Sequence, residues 1–401
     1  MRTALLAAIR TTPQGLLRAS LPLAERPVLA WQTALACALG CERVIILSDA
    51  PDEALSEAER TCRSQGAAFH RLRQFAGLAA LIHADDELLL IGDGLLPDRG
   101  ALEELVAPAG AGKPLARVVL CLPDDHTQSA RWPEDFERID AARCWAGVSV
   151  MRAGPVQRLV DFPPDSNAVS LLLRMALQDG TACRTLTASQ SAENRWLLAH
   201  DPEVLGAQEQ ALIAGSRKAG EWSAPGLALA EAMAARFALR GAGMAALGAS
   251  LGGLVCLMAA LGAGAAGWGV AALAGALLGS LALDLGAGLG RIRRAVLGGA
   301  ATPGLARLHH PGRDVLAGLA VMAALGPGAL AALAPLAIGT ADLASRSAPP
   351  RAAAFWRDRT AQLAIMTLGA GLGWLGETTA LLALGALAQT LLAARAQPIP
   401  E

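Results

Sequence analysis

Asp93 sits where the sequence most clearly offers chemistry. The stretch Asp85-Asp86-Glu87-Leu88-Leu89-Leu90-Ile91-Gly92-Asp93-Gly94 reads as an apolar strand ended by Gly-Asp-Gly. That order puts one carboxylate at the carboxyl edge of a strand, between small neighbours. A nucleotide phosphate held through Mg²⁺ needs such a place, with a hard oxygen ligand and room for close backbone approach. An Asp in a tight turn fits the same residues, since Asp-Gly also favours turns. A second carboxylate, Asp284, lies inside a long apolar segment and precedes Leu285-Gly286-Ala287-Gly288-Leu289-Gly290-Arg291. Ionisable groups within segments of membrane length are costly and mark function by default. The alternative is a carboxylate near the segment's cytoplasmic mouth, paired with Arg291 or Arg294. Asp314, Asp342 and Glu377 fall at segment ends, where charge is cheap.

Other patterns lead away from chemistry. Gly110-Ala111-Gly112-Lys113 brushes against a phosphate-binding loop, but the first glycine is missing at the required spacing and Pro114 replaces Ser/Thr, so it reads as a plain loop. The seven cysteines include no Cys-x-x-Cys pair and read as reduced, partly buried thiols. Cys37 and Cys41 lie one helical turn apart without a nearby His or Cys partner, which argues against zinc. The formal net charge of −1 gives no global pull toward nucleic acid.

The elements that must position Asp93 lie in the first half. Short β-type runs at residues 3–8, 43–47, 87–91, 117–122 and 144–151 alternate with helical stretches at 27–39, 52–65, 98–105 and 170–178. Apolar strands separated by helices predict an α/β domain with a mostly parallel sheet covered on both faces. Active sites in such sheets gather at the carboxyl ends of the strands. Residues 1–9 carry no small-residue cleavage site and read as a buried first strand rather than a signal peptide. With 401 residues the chain has room for two domains. The expected division is 1–195 for the α/β domain, 196–240 for a connector and interfacial helix, and 241–395 for a membrane domain. Helices are expected at 207–219 and 225–240, the second weakly amphipathic.

The order of these elements resembles nucleotidyltransferases of the nucleotide-diphospho-sugar transferase fold over roughly residues 1–180. The resemblance rests on Leu6-Ala7-Ala8, Leu21-Pro22-Leu23, the helix at 27–39, and Gly40-Cys41-Glu42-Arg43-Val44-Ile45-Ile46-Leu47. It implies a nucleotide substrate, Mg²⁺ on Asp93, and nucleotide contacts from Arg10, Gly15, Arg18 and Gly92. This chain departs from the family at two places. The glycine-rich phosphate loop is Ile9-Arg10-Thr11-Thr12-Pro13-Gln14-Gly15, with a single glycine, and the family's Pro-Lys is Pro22-Leu23. Arg10 or Arg18 would supply the missing charge, although Arg does not replace a catalytic Lys directly.

The last third is almost all Ala, Leu and Gly and divides into about six apolar segments, at residues 242–261, 265–290, 314–325, 329–343, 360–373 and 378–394. Arg236 and Arg240 precede the first. Arg291, Arg293, Arg294, Arg307 and Arg313 separate the second from the third; Arg346, Arg351, Arg357 and Arg359 separate the fourth from the fifth; Arg395 follows the last. The other three breaks carry no Lys or Arg. The positive-inside rule predicts a multi-pass protein of the cell inner membrane with both termini cytoplasmic. Ala/Gly-rich helices in the core of a soluble domain are the alternative.

This layout resembles the CDP-alcohol phosphotransferase family, whose signature is Asp-x-x-Asp-Gly-x-x-Ala-Arg followed by Gly-x-x-x-Asp-x-x-x-Asp. Asp284 matches the first Asp and Gly288 the glycine; Ala287 stands at the second Asp and Arg291-Ile292 at Ala-Arg. Asp314 matches the last Asp, with His310 at the third and Ala306 at the glycine. The resemblance implies catalytic roles for Asp284 and Asp314 and a metal at Asp284, in a site that keeps at most two of four carboxylates. It also implies CTP or a CDP-alcohol as ligand, membrane lipids as partners, and a homodimer through the membrane domain. Three readings stay open. They are an enzyme of polar-headgroup phospholipid synthesis, a non-catalytic scaffold or regulator of such an enzyme, and a small transporter.

Overall fold

Continuous apolar runs build the centre of the first half as strands buried on both faces. In the computed structural model, which describes residues 1–49, 53–107, 114–164, 166–192, 195–216, 222–237, 242–297 and 303–396, the chain divides into two compact units, Met1–Ala211 and Leu212–Glu401. The first unit runs β1 (Arg2–Ala7), α1 (Val28–Ala38), β2 (Arg43–Leu47), α2 (Glu53–Ser64), β3 (Ala68–Leu72), β4 (Glu87–Ile91), β5 (Leu95–Pro97) and α3 (Arg99–Val106). It continues with β6 (Val118–Pro123), β7 (Arg143–Arg152), α4 (Ala168–Gln178), β8 (Cys183–Thr185), β9 (Trp196–Leu198) and α5 (Pro202–Ser216).

The seven-stranded sheet has the order β8-β6-β7-β4-β1-β2-β3. All neighbours pair in parallel except β7, which runs antiparallel to both β4 and β6. The mostly parallel sheet expected from the sequence is therefore present. Its two faces follow from the two-residue period of a strand. Leu6, Ile46, Leu89 and Ile91 pack on one side, and Leu5, Ile45, Leu88 and Leu90 on the other. Register then sets the site. Leu6 pairs with Ile46 on one flank and Ile91 on the other, so residues 8–10 and 92–94 emerge side by side at the carboxyl ends.

Two differences from the sequence reading have plain causes. The edge strand β3, Ala-Phe-His-Arg-Leu, is half-exposed and mixed in polarity, so it lacks an apolar strand's signature. Strand β9, expected to open the connector, pairs with β5 inside the first unit, and Trp196 is fully buried there. The helix expected at 207–219 is α5, which starts earlier; residues 217–219 lie outside the described ones, as do 238–240 at the end of the next expected helix and the loop at 110–113.

The second unit is helical, with α6 (Pro225–Phe237), α7 (Ala242–Ala265), α8 (Gly269–Leu297), α9 (Pro303–Leu325), α10 (Leu333–Ser347), α11 (Pro350–Arg357), α12 (Arg359–Gly371) and α13 (Leu375–Ala396). Each of the six apolar segments falls mainly on one of these helices, with residues 265–268, 329–332 and 372–373 outside the helix that carries the rest of their segment. Three are long and apolar enough to cross a membrane, Met244–Ala265, Gly269–Arg294 and Leu375–Arg395. Helices α10 and α12 have 15 and 13 residues, about 20 Å each, short of a 30 Å hydrocarbon core.

Small residues let these helices approach closely. A Cβ on Gly253 or on Gly279 would sit 2.8 Å from the other residue's carbonyl oxygen, so α7 and α8 pack backbone to backbone. The turns without Lys or Arg gather at one end, where Ala323 lies beside Gly264, Ala324 beside Gly269, and Leu330 beside Gly376. Trp268 and Trp374 stand exposed on those turns, at 69 % and 61 %. The arginines gather at the other end. There the buried Asp358 accepts hydrogen bonds from the Gly226 amide at 2.7 Å, the Leu227 amide at 3.3 Å and the Ala361 amide at 3.0 Å, tying together the first turns of α6 and α12.

Asp358→Ala would leave those amides without an acceptor. We expect a loss of about 2–4 kcal/mol, read as a lower unfolding midpoint of the detergent-purified chain. Asp342→Ala, in an exposed pair with Arg346, should leave the midpoint nearly unchanged.

Candidate functional site

A cavity of about 630 Å³ opens at the carboxyl ends of the parallel strands. Arg10 after β1, Asp49 after β2 and Gly92 and Asp93 after β4 all line it, with Arg73 and Arg174 also on its wall. The Asp93 carboxylate is held by the chain beside it. Its Oδ2 accepts hydrogen bonds from the amides of Ile9 and Arg10, both at 2.7 Å, as the strand register requires. Its Oδ1 is buried with no hydrogen-bond partner among the described residues. Burial pushes the carboxyl up to about 6, a rise the two amides and the nearby Arg18 and Arg10 partly offset.

The turn that presents Asp93 is fixed from below. Gln32, fully buried on α1, donates through Nε2 to the carbonyls of Gly92 and Leu95, both at 2.8 Å. The Gly92 amide donates to the Gly147 carbonyl at 2.7 Å, and a Cβ on Gly92 would lie 3.3 Å from that carbonyl. Gly92 is therefore where the backbone of β4 leaves the sheet against β7.

The other residues expected at the nucleotide divide. Gly15 forms the tip of a tight turn in which the Thr12 amide reaches the Leu16 carbonyl at 2.7 Å, with a φ of +81°. Gly15 and Arg18 are not among the described residues that line the cavity. Arg18 points instead to Asp135, its Nη1 2.7 Å from Oδ1, and Arg10 Nη1 pairs with the same oxygen. The side chains of Asp135 and Arg18 are 2 % and 6 % exposed, that of Arg10 41 %. Asp135 thus anchors a loop that would otherwise bring two guanidinium groups together.

Sequence reasoning did not find Asp135, which lies in a polar, irregular stretch with no periodicity. It also missed the grouping of Glu134, Asp135 and His200, whose ligand atoms all lie within 4.8 Å of one another. His200 stacks on Trp132 with ring centroids 4.9 Å apart. Only the folded chain brings His200, after β9, to residues 134 and 135.

In the second unit the structure brings Asp284 and Asp314 together. Arg313 Nη1 lies 2.6 Å from Asp284 Oδ1, and its Nε lies 3.3 Å from Asp314 Oδ1. Arg359 forks onto Asp314, with Nε 3.1 Å from Oδ1 and Nη2 3.2 Å from Oδ2. Thr360 donates to Asp284 Oδ2 at 2.8 Å and accepts in turn from Ser280 at 2.9 Å. Arg291 and Arg294, the partners considered for Asp284, are engaged elsewhere: Arg291 pairs with Glu231, and Arg294 donates to the Gly290 carbonyl at 3.0 Å. Along one helix Arg291 lies about 10 Å from Asp284, whereas Arg313 reaches across from α9. The side chains of Ala306 and His310 lie outside the described residues.

No protein-family model matches the chain, and no curated protein matches it. Among solved structures, the chain is similar to an inositol-1-phosphate CTP transferase from T. maritima. The identity is 13 %, the match covers 52 % of this chain and 96 % of that one, and the TM-score is 0.36.

The two arginines on Asp135 should differ in weight. Asp135→Ala leaves the buried Arg18 unpaired, and a loss of about 3–5 kcal/mol is expected in chemical denaturation of the full chain. Arg10→Ala, at a half-exposed position, should cost no more than about 1 kcal/mol.

Proposed function

We propose that the chain is a membrane-anchored nucleotide-binding protein whose first unit takes CTP, or a CDP-alcohol, together with Mg²⁺ at Asp93. One observation carries this reading: a carboxylate at the carboxyl edge of a parallel sheet has one oxygen fixed by amides and the other without a partner among the described residues, in a cavity of nucleotide size. The residues fit the ion. When bound, Mg²⁺ would neutralise phosphate charge and polarise the phosphoryl group. Asp93 holds it, Gln32 and Gly92 fix the turn that aims Asp93, and Arg10 is the half-exposed cation able to turn toward phosphate. The activity this site suits is nucleotidyl transfer of the kind used in making polar headgroups for phospholipids. The second unit is proposed to cross the cell inner membrane six times, with both termini and the arginine-rich loops on the cytosolic side. The gathering of its arginines at one end supports that orientation. Exposed leucines such as Leu251 on α7 and Leu384 on α13 would meet lipid chains, or a second copy of the chain.

The second reading is a non-catalytic scaffold or regulator of a lipid-synthesis enzyme. It is favoured by the commitment of both loop arginines to Asp135. Transport has weaker support, since the carboxylate inside α8 is already engaged by Arg313 and Thr360.

Calorimetry with CTP and Mg²⁺ on the detergent-purified chain tests the proposal. Asp93→Asn should weaken Mg²⁺-dependent binding at least tenfold, about 1.4 kcal/mol. The proton competes with the metal for a carboxyl near 6, so metal is favoured above that pH. Between pH 7 and pH 5 the wild-type affinity should fall roughly tenfold, through a step that Asp93→Asn lacks. Unchanged binding in Asp93→Asn removes the nucleotide reading; no binding in the wild type favours the scaffold. Reporters fused after Gly262 and after Arg294 should land on opposite sides of the membrane, and a shared compartment contradicts the topology.

A further inference from the structure

The second unit keeps two of the carboxylates expected to hold metal, and both are occupied. Asp284 Oδ1 is 2.6 Å from Arg313, and Asp284 Oδ2 accepts from Thr360 at 2.8 Å. Asp314 Oδ1 faces both Arg313 and Arg359, and Asp314 Oδ2 faces Arg359 at 3.2 Å. Every carboxylate oxygen of the pair thus accepts from a donor on this chain. Both guanidinium groups are buried, with Arg313 and Arg359 each 4 % exposed.

We propose that Arg313 and Arg359 stand in place of divalent cations, so that this cluster is a metal-free ionic lock joining α8, α9 and α12. The physical case has three parts. The charges balance, two carboxylates against two guanidiniums, which is the condition for keeping ions away from water. A metal would have to displace a hydrogen bond from each oxygen it took. It would then rest against two buried guanidinium groups, where like charges repel strongly. The guanidinium forks also do what a bridging metal would do mechanically, tying one carboxylate's helix to the next. By contrast, Asp93 in the first unit has an oxygen with no partner among the described residues. The inference concerns the second unit alone and holds whether or not the first unit binds nucleotide.

The test follows Mn²⁺ by electron paramagnetic resonance on the full chain in detergent, in an Asp93→Asn background that removes the first unit's proposed site. The quantity read is Mn²⁺ binding that Asp284→Asn abolishes. With both arginines present this should be absent up to millimolar Mn²⁺. In Arg313→Gln/Arg359→Gln it should appear, with affinity at least tenfold above background. Arg313→Lys/Arg359→Lys retains the charges and should still refuse the ion. Asp284-dependent Mn²⁺ binding with the arginines intact overturns the proposal, as does a folded double Gln variant that gains none. Should the Gln variants fail to fold, the thermal midpoint of the Asp93→Asn chain decides. It should be the same in Mn²⁺ as in EDTA, and a rise of several degrees that Asp284→Asn removes overturns the lock.

Discussion

A charge removed from water must find a counter-charge or a full set of hydrogen bonds, and this constraint shapes both units. In the first, backbone amides of Ile9 and Arg10 satisfy half of Asp93, and the other oxygen has no partner among the described residues. In the second, Arg313, Arg359 and Thr360 satisfy Asp284 and Asp314 on every oxygen. An incompletely satisfied carboxylate has capacity for a ligand. A fully satisfied one supplies rigidity. The proposed division of labour between the units rests on that difference.

The arrangement around Asp93 comes from the sheet rather than from the loop. Parallel pairing of β1 with β4 aligns Leu6 with Ile91, so the next residues of the two strands meet beyond the ladder. Two apolar faces of leucine and isoleucine lock that register, because a one-residue slip would reverse which side chains meet α1 and which meet α4. Gln32 then holds the turn from beneath. The loop at residues 9–17 contributes amides and one half-exposed guanidinium, and its glycine serves a turn away from the cavity.

The parts of this that were legible in the sequence are those governed by short-range periodicity. Strand β4 ending in Gly-Asp-Gly is visible because four consecutive apolar residues, Leu88 to Ile91, run directly into a turn signal. The helices of the second unit are visible as apolar runs, with the arginines at every second break. Parts that depend on distant residues were not legible. Asp135 meets Arg18 from 117 positions away, Arg313 meets Asp284 across 29, and Asp358 meets Gly226 across 132. None of these pairs leaves a local pattern, since any of several charges could have served. Arg291 and Arg294 were the nearer candidates in sequence for Asp284, yet Arg291, two turns along the same helix, pairs with Glu231, and Arg294 donates to the Gly290 carbonyl.

Paramagnetic broadening compares the two units in one experiment. Mn²⁺ broadens the ³¹P resonances of CTP differently when both are held at one site, so the spectrum can be recorded with the wild-type chain, Asp93→Asn and Asp284→Asn in turn. The account predicts site-bound broadening with the wild type and with Asp284→Asn, and its loss with Asp93→Asn. Loss with Asp284→Asn and persistence with Asp93→Asn would contradict it.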